Sequence, residues 1–281
     1  MKRKVLTMIM AIALVVSLAS CTKTAESTKT AEATKASETA ASTEVASTTP
    51  TIDAIKASGK LRMATGTYVP FEYRDSDNKI VGFDVDLGQI IADKLGVELE
   101  VMDMPFTSII PSIEKGEYDL AIAAMYDKPA RREVVLMSDS YMKTGMVLVT
   151  LKGNENNIKS LADCDGLKVG VKAGATSQVV AEDAMKNSDV KYDIVGYDDT
   201  IGCVSDLIAG RVDVVVNDLL NQKEINKTND KVEIVSDPFT NADLSIAVAK
   251  GNEDLMDLVN EIIADYQQDG TYDKLFDKWI N

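Results

Sequence analysis

From about Ile52 onward the apolar positions follow two periods in turn. Leu61 to Ala64 predicts a strand, and Asp84 to Leu95 a helix with Leu87, Ile90, Ile91 and Leu95 on one face and Gly96 as its stop. Val97, Leu99 and Val101 alternate with Glu98 and Glu100, as in a strand with one wet face. A short helix carrying Ile109, Ile110 and Ile113, stopped by Gly116, leads into an apolar strand from Leu120 to Ala124. Strands separated by helices of this length predict a mostly parallel sheet covered on both faces.

The pattern then begins again. Lys168 to Val171 predicts a strand, Ser177 to Met185 a helix, Asp193 to Val195 a strand and Ile201 to Ala209 a helix. Gly116, Asp119 and Leu120 to Ala123 correspond to Gly210, Asp213 and Val214 to Asn217, each shifted by 94 residues. This internal repeat points to two α/β lobes of similar build. Near the C-terminus a long helix follows, with Leu255, Leu258, Val259, Ile262, Ile263 and Tyr266 on one stripe, then Gly270 and a last amphipathic piece ending at Trp279.

The N-terminal residues follow neither period. Lys2, Arg3 and Lys4 precede an uncharged, mostly apolar run from Val5 to Ala19, too short to span a bilayer comfortably. Leu18, Ala19, Ser20 and Cys21 resemble the bacterial lipoprotein cleavage box, in which the cysteine is acylated with a diacylglyceryl group and becomes the new N-terminus. Residues 1–20 are therefore expected to be a signal peptide and Cys21 the lipid-modified residue, leaving an extracytoplasmic protein anchored to the membrane rather than spanning it. From Thr22 to about Thr51 the chain is almost entirely Thr, Ala, Ser, Glu and Lys, too poor in apolar area to offset the entropy of ordering, so residues 21–50 are expected to be a disordered tether.

Composition narrows the chemistry. The 281 residues carry a net charge of −15, and loss of the leader removes three positive charges to give −18. A chain this acidic lacks the clustered Lys and Arg that phosphate binding needs, which argues against nucleic acid. The absence of histidine excludes Ser-His-Asp and Cys-His catalysis and, with no close cysteine pair, the usual zinc sites. Beyond Cys21 the thiols are Cys164 and Cys203, for which a disulfide stays open. No metal and no cofactor are expected.

In open α/β sheets ligands gather outside the carboxyl ends of strands, which singles out the loops after Ala64, Ala124, Val171 and Val216. The sequence in and around these loops includes YVPFEY at Tyr68 to Tyr73, GFDVDL at Gly82 to Leu87, IIPSIEKGEYDLAIAAM at Ile109 to Met125, KVGVKAG at Lys168 to Gly174 and DGTYDKLFDKW at Asp269 to Trp279. In this order, over about Gly59 to Trp279, the motifs resemble the amino-acid-binding branch of the bacterial periplasmic solute-binding proteins, of the glutamine- and lysine/arginine/ornithine-binding type.

The resemblance implies a two-lobe clamshell with a two-strand hinge, residues 51–145 and 240–281 forming the first lobe and residues 146–239 the second. It implies that Tyr68 and Phe106 sandwich the ligand's aliphatic part, that Arg131 grips its α-carboxylate, that Asp218 accepts its α-ammonium, that Thr176 offers N–H or hydroxyl to the carboxylate, and that Lys172 lies near its side chain. A planar guanidinium suits a carboxylate, whereas a carboxylate ending a strand, as at Asp218, is also a good helix cap. Thr65, Ala124, Tyr126, Asp127 and Lys128 depart from the family pattern. Thr65 stands where many members have an aspartate, and Ala124 and Tyr126 replace small residues at the pocket.

A lost carboxylate and an added lysine favour neutral polar or acidic amino acids over lysine and arginine, with glutamine first. The implied partners are a free amino acid, an ABC-type permease with its ATPase, and the membrane through the lipid anchor, with the protein itself a monomer. Two other uses of the same fold stay open at this point, a sensor module feeding a receptor and an enzyme resembling the cyclohexadienyl dehydratases.

Overall fold

The computed structural model describes residues 50–281. The leader, Cys21 and the tether up to residue 49 lie outside the described residues. The first helix, Pro50–Ser58, starts two residues before the expected beginning of folded sequence at Ile52. Its free N-terminal amides explain this, since Thr51 and Ile52 donate N–H to one Asp254 oxygen at 2.9 and 3.0 Å, and proline suits the first turn, where no amide is needed.

Two five-stranded sheets carry the fold. The first runs Glu98–Asp103, Lys60–Thr65, Leu120–Ala121, Ala247–Ala249, Val135–Met137; the second runs Asp193–Tyr197, Lys168–Lys172, Val214–Asp218, Met146–Leu151, Val232–Ile234. Helices Phe83–Leu95 and Phe106–Glu114 connect the parallel strands of the first sheet, and Thr176–Lys186 and Thr200–Ile208 those of the second.

Each sheet is mixed, with one reversed strand. Ala247–Ala249 is antiparallel to both neighbours, and Met146–Leu151 is antiparallel to Val214–Asp218 and Val232–Ile234. These two strands enter directly from the other half of the chain, so the helical crossover that enforces parallel pairing is missing. Next to them the chain passes between the sheets through Met142–Thr144 and Ala242–Leu244, which pair antiparallel with each other. The resulting architecture is the expected two-lobe clamshell.

The repeat seen in the sequence is structural. Asp119 accepts the backbone N–H of Arg62 at 2.8 Å, and its own N–H donates to the Arg62 carbonyl at 2.9 Å. Asp213 does the same with Lys168, again at 2.8 and 2.9 Å. Each aspartate thus ties the start of a third strand to the start of the first, with a left-handed glycine, Gly116 or Gly210, three residues before it at φ 69°.

The YVPFEY and GFDVDL motifs form one unit. Phe83 and Asp84 donate their N–H groups to the carbonyls of Pro70 and Phe71 at 3.1 and 2.9 Å. Gly82 has φ 137°, and a Cβ there would lie 2.1 Å from the Phe71 carbonyl oxygen, so only glycine fits. Phe71, Phe83, Tyr141 and Tyr266 continue this unit into the core as fully or almost fully buried rings. Cys164 and Cys203 are both buried and free, which closes the disulfide alternative. Among the described residues no helix is long and apolar enough to cross a membrane.

Candidate functional site

A cleft lies between the sheets, at the carboxyl ends of the strands. The first lobe contributes Tyr68, held by its β-bridge with Glu72, and Phe106, the first residue of its helix. Ala124, Tyr126 and Arg131 come from the loop after Leu120–Ala121 and its short helix Pro129–Arg132. The second lobe contributes Lys172, the last residue of its strand, and Thr176 at the start of the helix behind it. The structure brings these residues together around one cleft, whereas Asp218 stands behind its wall.

Asp218 is 1% exposed and fully used by its own surroundings. One carboxylate oxygen caps the helix Leu219–Thr228, accepting from Leu220 and Asn221 N–H at 2.7 and 3.2 Å. The other accepts the Tyr126 hydroxyl at 2.6 Å and the Thr144 hydroxyl at 2.7 Å. The Tyr126 phenol therefore stands between Asp218 and the cavity. Burial pushes the Asp218 carboxyl up, and burial together with this carboxylate pushes the Tyr126 phenol well above its ordinary range, so the phenol stays neutral.

The cavity is short of anions. Among its lining residues the only charged side chains are Arg131 and Lys172. Arg131 is partly buried and donates one hydrogen bond, from Nη1 to the Tyr126 carbonyl. Its other guanidinium N–H groups have no acceptor and it makes no ion pair among the described residues, while adjacent Arg132 is paired with Asp127 at 2.6 Å. Burial lowers the Arg131 pKa to about 10. Lys172, 4% exposed, also makes no ion pair among the described residues, and burial lowers its pKa. Its Nζ lies 4.5 Å from the centre of the Tyr68 ring and 4.7 Å from that of Phe106, between the two aromatic side chains.

Two neutral features share this bias. The Thr176 hydroxyl is buried without a partner. Ala175, Thr176 and Ser177 at the start of its helix line the same wall, where an N-terminus favours negative charge.

Sequence reasoning missed Ala123, Met146, Ala175 and Ser177 as lining residues. The Ser177 hydroxyl accepts the Lys172 N–H at 3.1 Å, pinning the strand end to the helix start; the glycine-containing turn from Ala173 to Ala175 was the available signal. Met146 opens a strand that the pattern analysis did not identify. Thr65 does not line the cavity; its hydroxyl donates to the Ile122 carbonyl at 2.6 Å, so it joins two strand ends.

Beside the cavity wall lie two carboxyls that the family resemblance does not single out. Asp84 accepts the Ala124 N–H at 2.6 Å and the Tyr141 hydroxyl at 3.0 Å, and burial raises its pKa to about 6. Glu72 is wholly buried with neither oxygen receiving a donor; burial first, then the Asp84 charge, push its pKa well up. A protonated Glu72 donating to an ionised Asp84 satisfies both groups. The pair fixes Ala124, a non-glycine residue at φ 44°, in the cavity wall. Among the described residues no group of three or more His, Cys, Asp or Glu could hold a metal ion.

Comparison with known proteins places this cleft in a family. Residues 61–281 match the bacterial extracellular solute-binding proteins, family 3. The chain is 32% identical over 231 residues to the L-cystine-binding protein TcyJ of Escherichia coli K12, covering 82% of this chain and 85% of that protein. It is 33% identical over 221 residues to ABC transporter arginine-binding protein 1 of the same organism, covering 77% and 88%. A solved structure of an ancestral arginine-binding protein bound to glutamine superposes with a TM-score of 0.73 at 38% identity, covering 79% of this chain and 97% of that one. The chain belongs to the bacterial extracellular solute-binding proteins, family 3, and is a binding protein rather than an enzyme.

Proposed function

We propose that the protein captures one free amino acid with a neutral polar or acidic side chain and delivers it to an ABC-type uptake transporter. The observation that carries this is the pair of unpaired cations, Arg131 and Lys172, in a cavity lined by no carboxylate. A site of this kind gains most from a ligand that brings its own anion. Relatives named for cystine and arginine support an amino acid as that ligand, and glutamine, found in the ancestral neighbour, is the first candidate.

In this reading the α-carboxylate lies against Arg131, the Thr176 hydroxyl and the first amides of the helix Thr176–Lys186. The α-ammonium meets the phenolic oxygen of Tyr126. That oxygen is made a stronger acceptor because its proton is given to Asp218, so Asp218 acts through Tyr126. The side chain points toward Tyr68, Phe106 and Lys172. Ligand and lobes then close together, since only the closed form makes all of these contacts. Cys21 carries the lipid that holds the monomer at the outer face of the membrane, residues 21–50 form the tether, and the permease with its ATPase reads the closed shape.

A thermal-shift panel of the twenty amino acids and cystine tests the ligand class. At about 100 times Kd a ligand bound only by the folded state adds roughly 2.7 kcal/mol, a rise in Tm of about 5–10 °C for a chain of this size. A rise with glutamine, another neutral polar residue or an acidic one is expected. No shift with any amino acid at millimolar concentration would sink the proposal.

A further inference from the structure

We propose that Lys172 is a resident cation that fills the aromatic slot of the cleft and so bars cationic amino acids from it. This rests on the amino-acid reading above and assigns the residue that sets its specificity.

The Lys172 ammonium lies close to two ring centres, 4.5 Å from Tyr68 and 4.7 Å from Phe106, where the aromatic quadrupole attracts positive charge. Its direct contacts are these rings. It makes no ion pair within 4.0 Å among the described residues, and the acids nearest in effect are Glu72 and Asp199. Glu72 reaches the same turn: its Oε1 lies 3.5 Å, and Lys172 Nζ 3.9 Å, from where a Cβ on Gly66 would be. Yet Glu72 faces Asp84 and its carboxyl is pushed toward the neutral form. Asp199 is occupied as a cap, accepting the Gly202 N–H at 2.7 Å.

The ammonium is therefore held by the two rings, and Phe106 also has the Arg131 guanidinium carbon 5.4 Å from its centre. A ligand bringing an ammonium or guanidinium to this slot would meet two cations with no anion between them. A ligand ending in an amide oxygen or a carboxylate meets a ready donor. The same slot emptied of its lysine becomes a cation site with two aromatic walls. Lys172 thus excludes by repulsion as well as selecting by attraction, the two halves of specificity.

Calorimetry on the wild-type protein and on Lys172→Met, with arginine, lysine, glutamine and glutamate as ligands, tests this. The wild type is expected to bind arginine and lysine at least about 100-fold more weakly than its best neutral or acidic ligand, as like-charge juxtaposition requires. Lys172→Met is expected to gain at least about tenfold for arginine or lysine and to lose about tenfold for the preferred ligand. Lys172→Gln, which keeps most of the stem, gives the same reading if the methionine variant melts below the assay temperature. Wild-type protein that binds arginine or lysine as tightly as glutamine overturns the proposal while leaving the amino-acid reading intact. So does a folded variant that gains nothing for either cation. Absence of binding to every amino acid by the wild type would instead remove the amino-acid reading itself, and this inference with it.

Discussion

The Arg131 guanidinium gives one hydrogen bond to the Tyr126 carbonyl and otherwise has no partner among the described residues. An unpaired, partly buried charge costs the empty protein stability and is repaid only when a carboxylate arrives. Arg131→Ala is therefore expected to weaken ligand binding by about 100-fold or more in calorimetry, while the ligand-free protein melts at the wild-type temperature or slightly above. A fall in the ligand-free Tm by several degrees would show that the guanidinium is structural.

The buried Glu72 and Asp84 carboxyls make a second prediction at this scale. An unfolded aspartate titrates near pH 4, but Asp84 in the folded chain does so at about 6, so between those values the folded state keeps a proton the unfolded state has lost. Stability must fall as pH rises through that window, and Glu72, shifted further in the same direction, extends the decline to higher pH. Glu72→Gln removes that extension and lets an amide N–H face Asp84, so its Tm at pH 8 is expected to exceed the wild type's by about 2–4 °C. Identical pH profiles for the two proteins would mean that the carboxyls share no proton. This pair was not legible as part of the site because its two members, 12 residues apart, sit in separate motifs, and only the folded turn brings them together. Lys172 was legible because it lies in a motif that resembles a known one, and Arg131 because the family resemblance implies its position; the lack of anionic partners around them is a property of three-dimensional neighbours.

Among the elements, those read best were the ones with a strong period and a glycine stop. The helix Phe83–Leu95 ends at Gly96 in the left-handed conformation, as its sequence predicts. The strand Met146–Leu151 was missed although its first five residues are buried, because it enters from a crossing and has no flanking helix to frame it. The predicted strand Leu120 to Ala124 is regular only over Leu120–Ala121; Ile122 still donates its N–H to the Ala64 carbonyl at 3.2 Å, and Ala123 and Ala124 turn into the cavity wall. The repeated glycine and aspartate were the clearest local signal, and their roles differ from that of Gly82. Asp213→Ala removes one acceptor for the Lys168 N–H and is expected to cost about 1 kcal/mol in chemical denaturation without altering ligand affinity. Gly82→Ala drives a methyl group into the Phe71 carbonyl and is expected to cost at least about 3 kcal/mol. A Gly82→Ala protein as stable as the wild type would show that the two motif turns separate without penalty.

For the whole molecule, the lobes meet through specific contacts. The Tyr68 hydroxyl donates to Asn217 at 2.9 Å, the Tyr126 hydroxyl to Asp218 at 2.6 Å, and the Asn221 amide to the Val69 carbonyl. At the mouth, Gly174 of the second lobe has φ +68°, and a Cβ there would stand 2.8 Å from the Thr107 methyl of the first. Gly174→Val is expected to hold the lobes apart, enlarging the radius of gyration of the ligand-bound protein in solution scattering and weakening affinity by about tenfold or more. Unchanged scattering and affinity would show that closure does not bring these segments together.

All of this depends on cations waiting in the cleft for the ligand's carboxylate. The most direct measurement is calorimetry of the wild-type protein with its preferred amino acid and with the α-methyl ester of that amino acid. The account predicts that the ester, which keeps the side chain and the ammonium but lacks the α-carboxylate charge, binds at least about 100-fold more weakly, and that Arg131→Ala hardly distinguishes the two. An ester that binds the wild type within a few-fold of the free amino acid would contradict it.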